Sequence, residues 1–205
     1  MIRAAEALER LRAGNRRFIT DVHSPHVITC QSRRRELTAG QNPFAIILGC
    51  SDSRVPAELV FDQGLGDLFV IRVAGNIVAG SQIGSIEFAA ERFAARLVVV
   101  LGHSCCGAVL ATLEELDRPS ANRSPNLSAI VNRIRPAVEA LATPERRHRP
   151  KLLLKRAIRA NIQTSVNRLR QGSNILTRLI QTDGLHIVGA EYSLETGGVE
   201  FLEEV

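Results

Sequence analysis

The stretch Ile46-Ile-Leu-Gly-Cys-Ser-Asp-Ser-Arg-Val-Pro56 decides the fold: in it an apolar run ends in a glycine and three chemically active side chains follow. Those side chains, Cys50, Asp52 and Arg54, stand at alternate positions. The continuous apolar run over 44–49 is typical of a strand that is buried on both faces of a parallel sheet. The sequence therefore predicts a buried strand that presents a thiol, a carboxylate and a guanidinium at its carboxyl end.

A second stretch has the same organisation, with Leu97-Val-Val-Val-Leu-Gly102 followed directly by His103-Ser-Cys-Cys106. The carboxyl ends of parallel strands meet at one edge of a sheet, where ligands bind. Two thiols and one imidazole, Cys50, His103 and Cys106, are ligands that zinc favours, and three protein ligands leave the fourth tetrahedral position for water. We therefore predict one zinc site built from both strand ends, in preference to two structural cysteines and an unrelated histidine.

Asp52 and Arg54 are two residues apart, so their side chains point the same way if the chain stays extended after Cys50. A guanidinium keeps a carboxylate ionised and fixes its orientation. Beside a metal, such a carboxylate accepts a hydrogen bond from a bound water, or it becomes a fourth ligand and displaces that water. An ordinary surface ion pair is the third alternative.

The bulk composition excludes several classes of protein. With 205 residues, 45% hydrophobic and 23% charged, the chain fits one globular domain. Four cysteines, two of them adjacent, argue against a disulfide framework and for a reducing compartment. No apolar run approaches the roughly 20 residues of a membrane span, and the amino terminus lacks a signal-peptide core, so we predict a cytoplasmic protein. The net charge of +5 is dispersed among 21 acidic residues without tryptophan, which argues against nucleic-acid binding.

The remaining pattern alternates strands with helices, which predicts a parallel sheet. Residues 3–19 carry a sparse apolar stripe of one or two helices that must pack on something. His23 and His26 are interpreted as unrelated loop histidines. The other predicted strands are 68–73, 97–102 and a hairpin-like pair at 186–192 and 198–202. The other predicted helices are 82–95, 107–116, 127–141 with an interruption at Pro136, 151–171, and one ending at 182 with Ser173 as its N-cap.

The two ligand stretches, Gly-Cys-Ser-Asp-Ser-Arg-Val-Pro-Ala-Glu at 49–58 and Leu-Gly-His-Ser-Cys-Cys-Gly-Ala-Val at 101–109, closely resemble the signatures of the β-class carbonic anhydrases. The resemblance spans most of residues 38–202. It implies an α/β fold, with about four parallel strands plus an antiparallel edge strand, flanked by helices. It also implies a single domain over 1–205, in which an amino-terminal arm at 1–38 packs on a partner subunit and precedes a zinc-binding core at 39–205. That arm would account for the apolar stripe.

The same resemblance implies an activity, the reversible hydration of carbon dioxide to bicarbonate and a proton. Cys50, His103 and Cys106 would hold one Zn²⁺ ion per subunit, with hydroxide on the zinc as nucleophile. Asp52 and Arg54 would form the pair that orients it.

Substrate would bind in a narrow, mainly apolar cleft at the interface of a homodimer, or of a dimer of dimers. On the matching positions, Gln41 would donate a hydrogen bond to bicarbonate. Phe69 and Phe88 would line the cleft, and the backbone N–H of Gly107 would face the substrate oxygen.

Three departures from the family pattern qualify this transfer. Phe88 stands where many relatives carry tyrosine. Cys105 is a second thiol beside a ligand, which competes for metal, makes the site prone to oxidation, or points into the core. Arg72 matches the arginine of a regulatory bicarbonate pocket, but Ile47 replaces its tryptophan, so we do not expect that form of inhibition.

Two other functions remain open at this point. Relatives with the same site suggest hydrolysis of carbon disulfide or a similar linear molecule. A catalytically silent zinc-binding module is the non-enzymatic alternative, against which the Asp52–Arg54 pair argues, because a structural zinc site needs no such pair.

Overall fold

The computed structural model of the protein is organised on one five-stranded sheet in the order β2-β1-β3-β4-β5. It describes residues 2–22, 31–119, 124–143 and 148–202, so His23 and His26 lie outside the described residues. Strands β1 to β4 are parallel and β5 is antiparallel to β4, which confirms the predicted fold class. The strands are β1 Ala45–Gly49, β2 Leu68–Arg72, β3 Leu97–His103, β4 His186–Tyr192 and β5 Val199–Phe201.

Helices cover both faces of the sheet. In the described part of the chain they are α1 Ala4–Ile19, α2 Gln31–Leu37, α3 Ala57–Val60, α4 Gly80–Arg92, α5 Gly107–Asp117, α6 Pro125–Val138, α7 Pro150–Gln171 and α8 Asn174–Thr182. Two short 3₁₀ turns, Ala74–Asn76 and Glu139–Leu141, complete them.

Two local predictions have different outcomes. Ser173 is the N-cap of α8, since its Oγ accepts a hydrogen bond from the Leu176 backbone N–H at 3.1 Å. The interruption predicted at Pro136 is wrong, because α6 continues through this residue to Val138. Pro136 lies in the last turn and the Glu139–Leu141 turn follows directly, so the proline stands near the end of the helix instead of breaking it.

Successive residues of the central strands face opposite cores, as the pleat requires. Ile46 and Leu48 of β1 belong to a cluster with α4, α5, α6, α7 and α8. Ala45 and Ile47 belong to a second cluster, on the other face, with α1 and α3. The sheet is therefore buried on both sides, which explains the uninterrupted apolar runs in β1 and β3.

The apolar stripe of α1 packs inside the same chain. Ala7, Leu8 and Leu11 are at most 3% exposed and belong to the cluster that includes Ile47 and Val99 of the sheet. The chain's own sheet therefore covers the stripe for which we expected a partner subunit to account. That the arm at 1–38 also packs on a partner stays a prediction.

The strand order places a crevice between β1 and β3. The chain leaves β1 toward β2 on one side, whereas β3 leads to β4 on the other. In open parallel sheets, ligands bind at such a reversal, beyond the carboxyl ends of the two strands. None of the helices in the described part of the chain combines the length and apolar character needed to cross a membrane.

Candidate metal centre

The carboxyl ends of β1 and β3 bring three ligand-type side chains together. Cys50 follows β1 directly, His103 is the last residue of β3, and Cys106 precedes α5. The two sulfur atoms and an imidazole nitrogen lie within 4.8 Å of one another, and all three side chains are buried. The predicted convergence of these residues on one point is thus present in the structure.

The His103 ring is oriented so that one nitrogen is free for a metal. Its Nδ1 lies 2.9 Å from the carbonyl oxygen of Ser104, and because a carbonyl only accepts, Nδ1 carries the proton. Its Nε2 is buried and has no hydrogen-bond partner among the described residues. A buried lone pair without a partner is costly unless it binds something, so this atom is suited to a metal ion.

The Cys50 and Cys106 sulfurs are coupled through a hydrogen bond between them. A hydrogen bond from the Cys106 thiol lowers the pKa of Cys50 to about 4, although burial opposes this shift. The same hydrogen bond raises the pKa of Cys106. The pair thus holds a shared proton, and this proton must leave when both sulfurs bind a metal. The nitrogen and two sulfurs fit zinc, which takes this ligand set in a tetrahedron.

Asp52 and Arg54 form a two-pronged ion pair at the rim of this cluster. Arg54 Nε donates to Asp52 Oδ1 at 2.9 Å, Arg54 Nη2 donates to Oδ2 at 2.7 Å, and the Arg54 backbone N–H adds a third bond at 3.0 Å. These bonds hold the pKa of Asp52 well below its usual range. Asp52 Oδ2 lies 3.9 Å from Nε2 of His103, so the carboxylate stands beside the metal group while Arg54 holds it.

Two groups that support the Cys50 turn were not predicted as such from the sequence. Arg72, at the end of β2, donates to the carbonyl oxygens of Cys50 at 3.0 Å and Asp52 at 2.6 Å. The Gly75 backbone N–H donates to Cys50 Sγ at 3.3 Å. The only signal in the sequence was the resemblance itself, which includes residues 74–76.

Comparisons with known proteins agree with this geometry. A family model described as carbonic anhydrase matches residues 45–199. The chain is 36% identical over 199 residues to carbonic anhydrase 2 of Mycobacterium tuberculosis, which covers 93% of this chain and 89% of that protein. The chain belongs to the carbonic anhydrase family.

A second relative and a solved β-class structure agree with this family. The carbonic anhydrase of Mycolicibacterium smegmatis is 45% identical over 134 residues, a match that covers 64% of this chain and only 63% of that protein. Among solved structures, the β-carbonic anhydrase CafA of Aspergillus fumigatus superposes with a TM-score of 0.75 at 25% identity, covering 85% of this chain and 84% of that chain.

The remaining predicted site residues of this carbonic anhydrase lie in two places. Gly107 is the first residue of α5, next to the ligand Cys106. Gln41 precedes β1, whereas Cys50 follows it, so the length of the strand, about 15 Å, separates them. Gln41 is exposed in a shallow surface cavity with Gly40 and Gly66 that none of the three ligands lines.

Phe69 and Phe88 lie together at the β2 edge of the sheet. Phe69 pairs in register with Ile46, four residues before Cys50. Its ring centroid is 6.3 Å from that of Phe88, and the Phe88 side chain is 54% exposed. Within one chain, Phe69 is half-buried against the core cluster that includes Cys50 and Cys106, whereas Phe88 is exposed at the sheet edge.

Cys105 differs from its neighbour Cys106 in its exposure. It has a left-handed backbone conformation with φ of 57°. The thiol is exposed and lines a surface cavity with Arg54 and Lys155. It therefore belongs neither to the ligand group nor to the core.

Proposed function

We propose that this protein catalyses the reversible hydration of carbon dioxide to bicarbonate and a proton, with zinc held by Cys50, His103 and Cys106. The observation that carries the proposal is the buried ligand trio with the Asp52–Arg54 pair at its rim. A zinc ion bound by these residues would supply a Lewis acid that makes water nucleophilic near neutral pH.

Asp52 has the geometry of an orienting group. Arg54 donates to both of its carboxylate oxygens, and the Oδ2 atom lies 3.9 Å from a ligand nitrogen. A carboxylate fixed in this way accepts a hydrogen bond from a water molecule and directs the water's lone pair away from itself, toward the substrate carbon. Because the ion pair with Arg54 keeps Asp52 ionised, Asp52 orients the water without taking up its proton.

We further propose that the substrate cleft is completed by a second subunit in the cytoplasm, as a homodimer or a dimer of dimers. Gln41 lies at the opposite end of β1 from Cys50, so it cannot reach the trio of its own chain. Phe69 on the edge strand β2 and Phe88 on α4 lie together, and the Phe88 ring is exposed, which is the kind of apolar surface that a partner covers. In this arrangement Gln41, Phe69 and Phe88 of one subunit line the site of the other, while Gly107 N–H faces substrate from within.

Stopped-flow hydration assays test the activity directly. Purified, zinc-loaded protein should hydrate carbon dioxide, and Cys50→Ala should lose both zinc and activity, by more than the 10- to 100-fold that removal of an outer partner of a metal ligand typically costs. Full activity in Cys50→Ala would contradict the metal assignment. Hydrolysis of carbon disulfide without carbon dioxide hydration would contradict the substrate, and a zinc-loaded protein inactive toward both would be the silent module.

A further inference from the structure

The 3₁₀ turn Ala74–Asn76 places a backbone donor on a metal-ligand sulfur. The Gly75 N–H donates to Cys50 Sγ at 3.3 Å. To do so, the chain takes the left-handed conformation twice in succession, with φ of 70° at Gly75 and 43° at Asn76. A non-glycine residue in this region is uncommon and costs energy, so the surrounding structure must hold the turn in place.

The helix α7 holds this turn from behind with two buried polar side chains. Asn161 Nδ2 donates to the Gly75 carbonyl oxygen at 2.8 Å, and Ser165 Oγ donates to the Asn76 carbonyl oxygen at 2.9 Å. Both side chains are 2% exposed. They are four residues apart and therefore share one face of the helix. A buried polar side chain is retained where it satisfies a specific partner, and here the partners are consecutive carbonyls of the strained turn.

We propose that Asn161 is a positioning residue of the metal centre: by holding the Gly75 carbonyl, it keeps the N–H of the same residue on the Cys50 sulfur. The inference rests on the zinc-holding role proposed above. Its chemical consequence concerns the thiolate, since a hydrogen bond to sulfur draws electron density away from the metal–sulfur bond.

This consequence matters because of the charge of the ligand set. Two thiolates cancel the formal charge of a divalent ion, which weakens the ion as a Lewis acid compared with a site of neutral histidines. Partners of the ligands tune a metal site through such hydrogen bonds. The Gly75 N–H reduces the donation from Cys50, and Asn161 fixes the position of that N–H.

Ser165 provides a matched control within the same helix. It is equally buried, and it bonds the neighbouring carbonyl of the same turn. Removing either side chain leaves one buried carbonyl without its donor, so both variants lose stability for the same reason. Of the two side chains, Asn161 is the one that bonds to Gly75, so its removal and not that of Ser165 should release the N–H from the sulfur.

The test is the absorption spectrum of cobalt-substituted protein. In Asn161→Leu, the thiolate-to-cobalt charge-transfer band should move to lower energy, because the freed sulfur is the better donor, and kcat/KM should fall by about 10- to 100-fold. In Ser165→Ala, the band should stay at the wild-type energy. A wild-type band in Asn161→Leu, or an equal shift in both variants, would overturn the proposal.

A second measurement on the unaltered chain keeps the test decisive if Asn161→Leu does not fold. In wild-type protein loaded with spin-active cadmium, the Gly75 amide proton should show scalar coupling to the metal through the hydrogen bond to sulfur. Absence of that coupling in a fully loaded sample would overturn the proposal. Both readouts are independent of turnover, so an inactive protein with the expected spectra would contradict the proposed function and leave the role of Asn161 intact.

Discussion

The two ends of β1 differ in whether the predicted site residues there are buried within one chain or exposed. At the carboxyl end, Cys50, His103 and Cys106 are at most 5% exposed and meet in one cluster. At the amino end and along the neighbouring edge, Gln41 is exposed and Phe88 is 54% exposed. Under the proposed function, each chain would build its own metal centre and present the other proposed substrate contacts outward.

The difference follows from what holds each set in place. The carboxyl end is anchored by bonds from several elements, including Arg72 on β2, Gly75 in the following turn and Asn161 on α7. The aromatic face is held mainly by packing among rings, with Phe93 at 5.6 Å from Phe88 in an edge-to-face contact. Substitutions of the residues that support the ligand trio should therefore change metal binding or turnover. Substitutions in the aromatic face should change activity through contact with a partner.

Outside the ligand trio, the largest effect is expected for Asp52→Asn, which tests whether the site at the carboxyl end of β1 depends on an ionised orienting group. Asparagine keeps the size but cannot accept two charge-assisted bonds from Arg54. We expect kcat/KM to fall about 100-fold, at the upper end for an outer partner of a metal site, with zinc content unchanged. Stopped-flow hydration and metal analysis of the same sample measure both quantities.

Glu191→Gln is the matched control for that experiment. Glu191 accepts a bond from Arg159 at 2.6 Å, and its side chain is 10% exposed against 17% for Asp52. Both ion pairs border the same surface cavity, but Glu191 is not part of the ligand group. Its substitution should leave turnover unchanged. Comparable losses in the two variants would show that Asp52 has no special role.

An experiment with mixed subunits tests whether Gln41, before the amino end of β1, acts in the site of a partner subunit. Gln41→Ala alone should lower kcat/KM about tenfold, the cost of a hydrogen bond to a charged group. If Gln41 acts across the interface, a subunit with Cys50→Ala supplies the missing glutamine to a subunit with Gln41→Ala. An equal mixture should then recover about one quarter of wild-type activity, because half of the dimers contain one complete site.

Two other results would contradict a role of Gln41 across the interface. Activity equal to the average of the two parent proteins, in samples where differently tagged subunits co-purify, would place Gln41 outside the partner's site. Samples in which the tagged subunits never co-purify would contradict the dimer itself.

The sequence predicted that Cys50, His103 and Cys106 converge, because the signals for this convergence are local. Apolar runs 44–49 and 97–102 mark buried strands, and parallel strands place Cys50 beside His103 by topology alone. The boundaries of the central strands differ from the prediction by at most one residue, as with β1 starting at Ala45 and β3 ending at His103.

What the sequence did not reveal depends on long-range packing. The stripe of α1 requires a surface, but nothing in Leu8 or Leu11 says whether that surface belongs to the same chain. Likewise, Asn161 lies 86 residues from Gly75 in a helix whose other buried positions are mainly apolar. A buried asparagine there gives no sequence signal of its partner, and only the structure shows that it supports the turn on Cys50.

The smallest effect is expected for Phe88→Tyr, which asks what the aromatic face does. The exposed ring has room for a hydroxyl, so the free energy of unfolding should change by less than about 0.5 kcal/mol. If the face lines a partner's cleft, the hydroxyl becomes available to bound substrate, and one neutral hydrogen bond of about 1 kcal/mol raises kcat/KM by about fivefold at most. Chemical denaturation and stopped-flow assays measure the two quantities.

A strong loss of activity with unchanged stability would instead mean that a hydroxyl cannot be accommodated in the assembled cleft, so that Phe88 excludes polar groups there. No change in either quantity would mean that Phe88 does not contact the substrate and that the aromatic face serves only as a subunit contact.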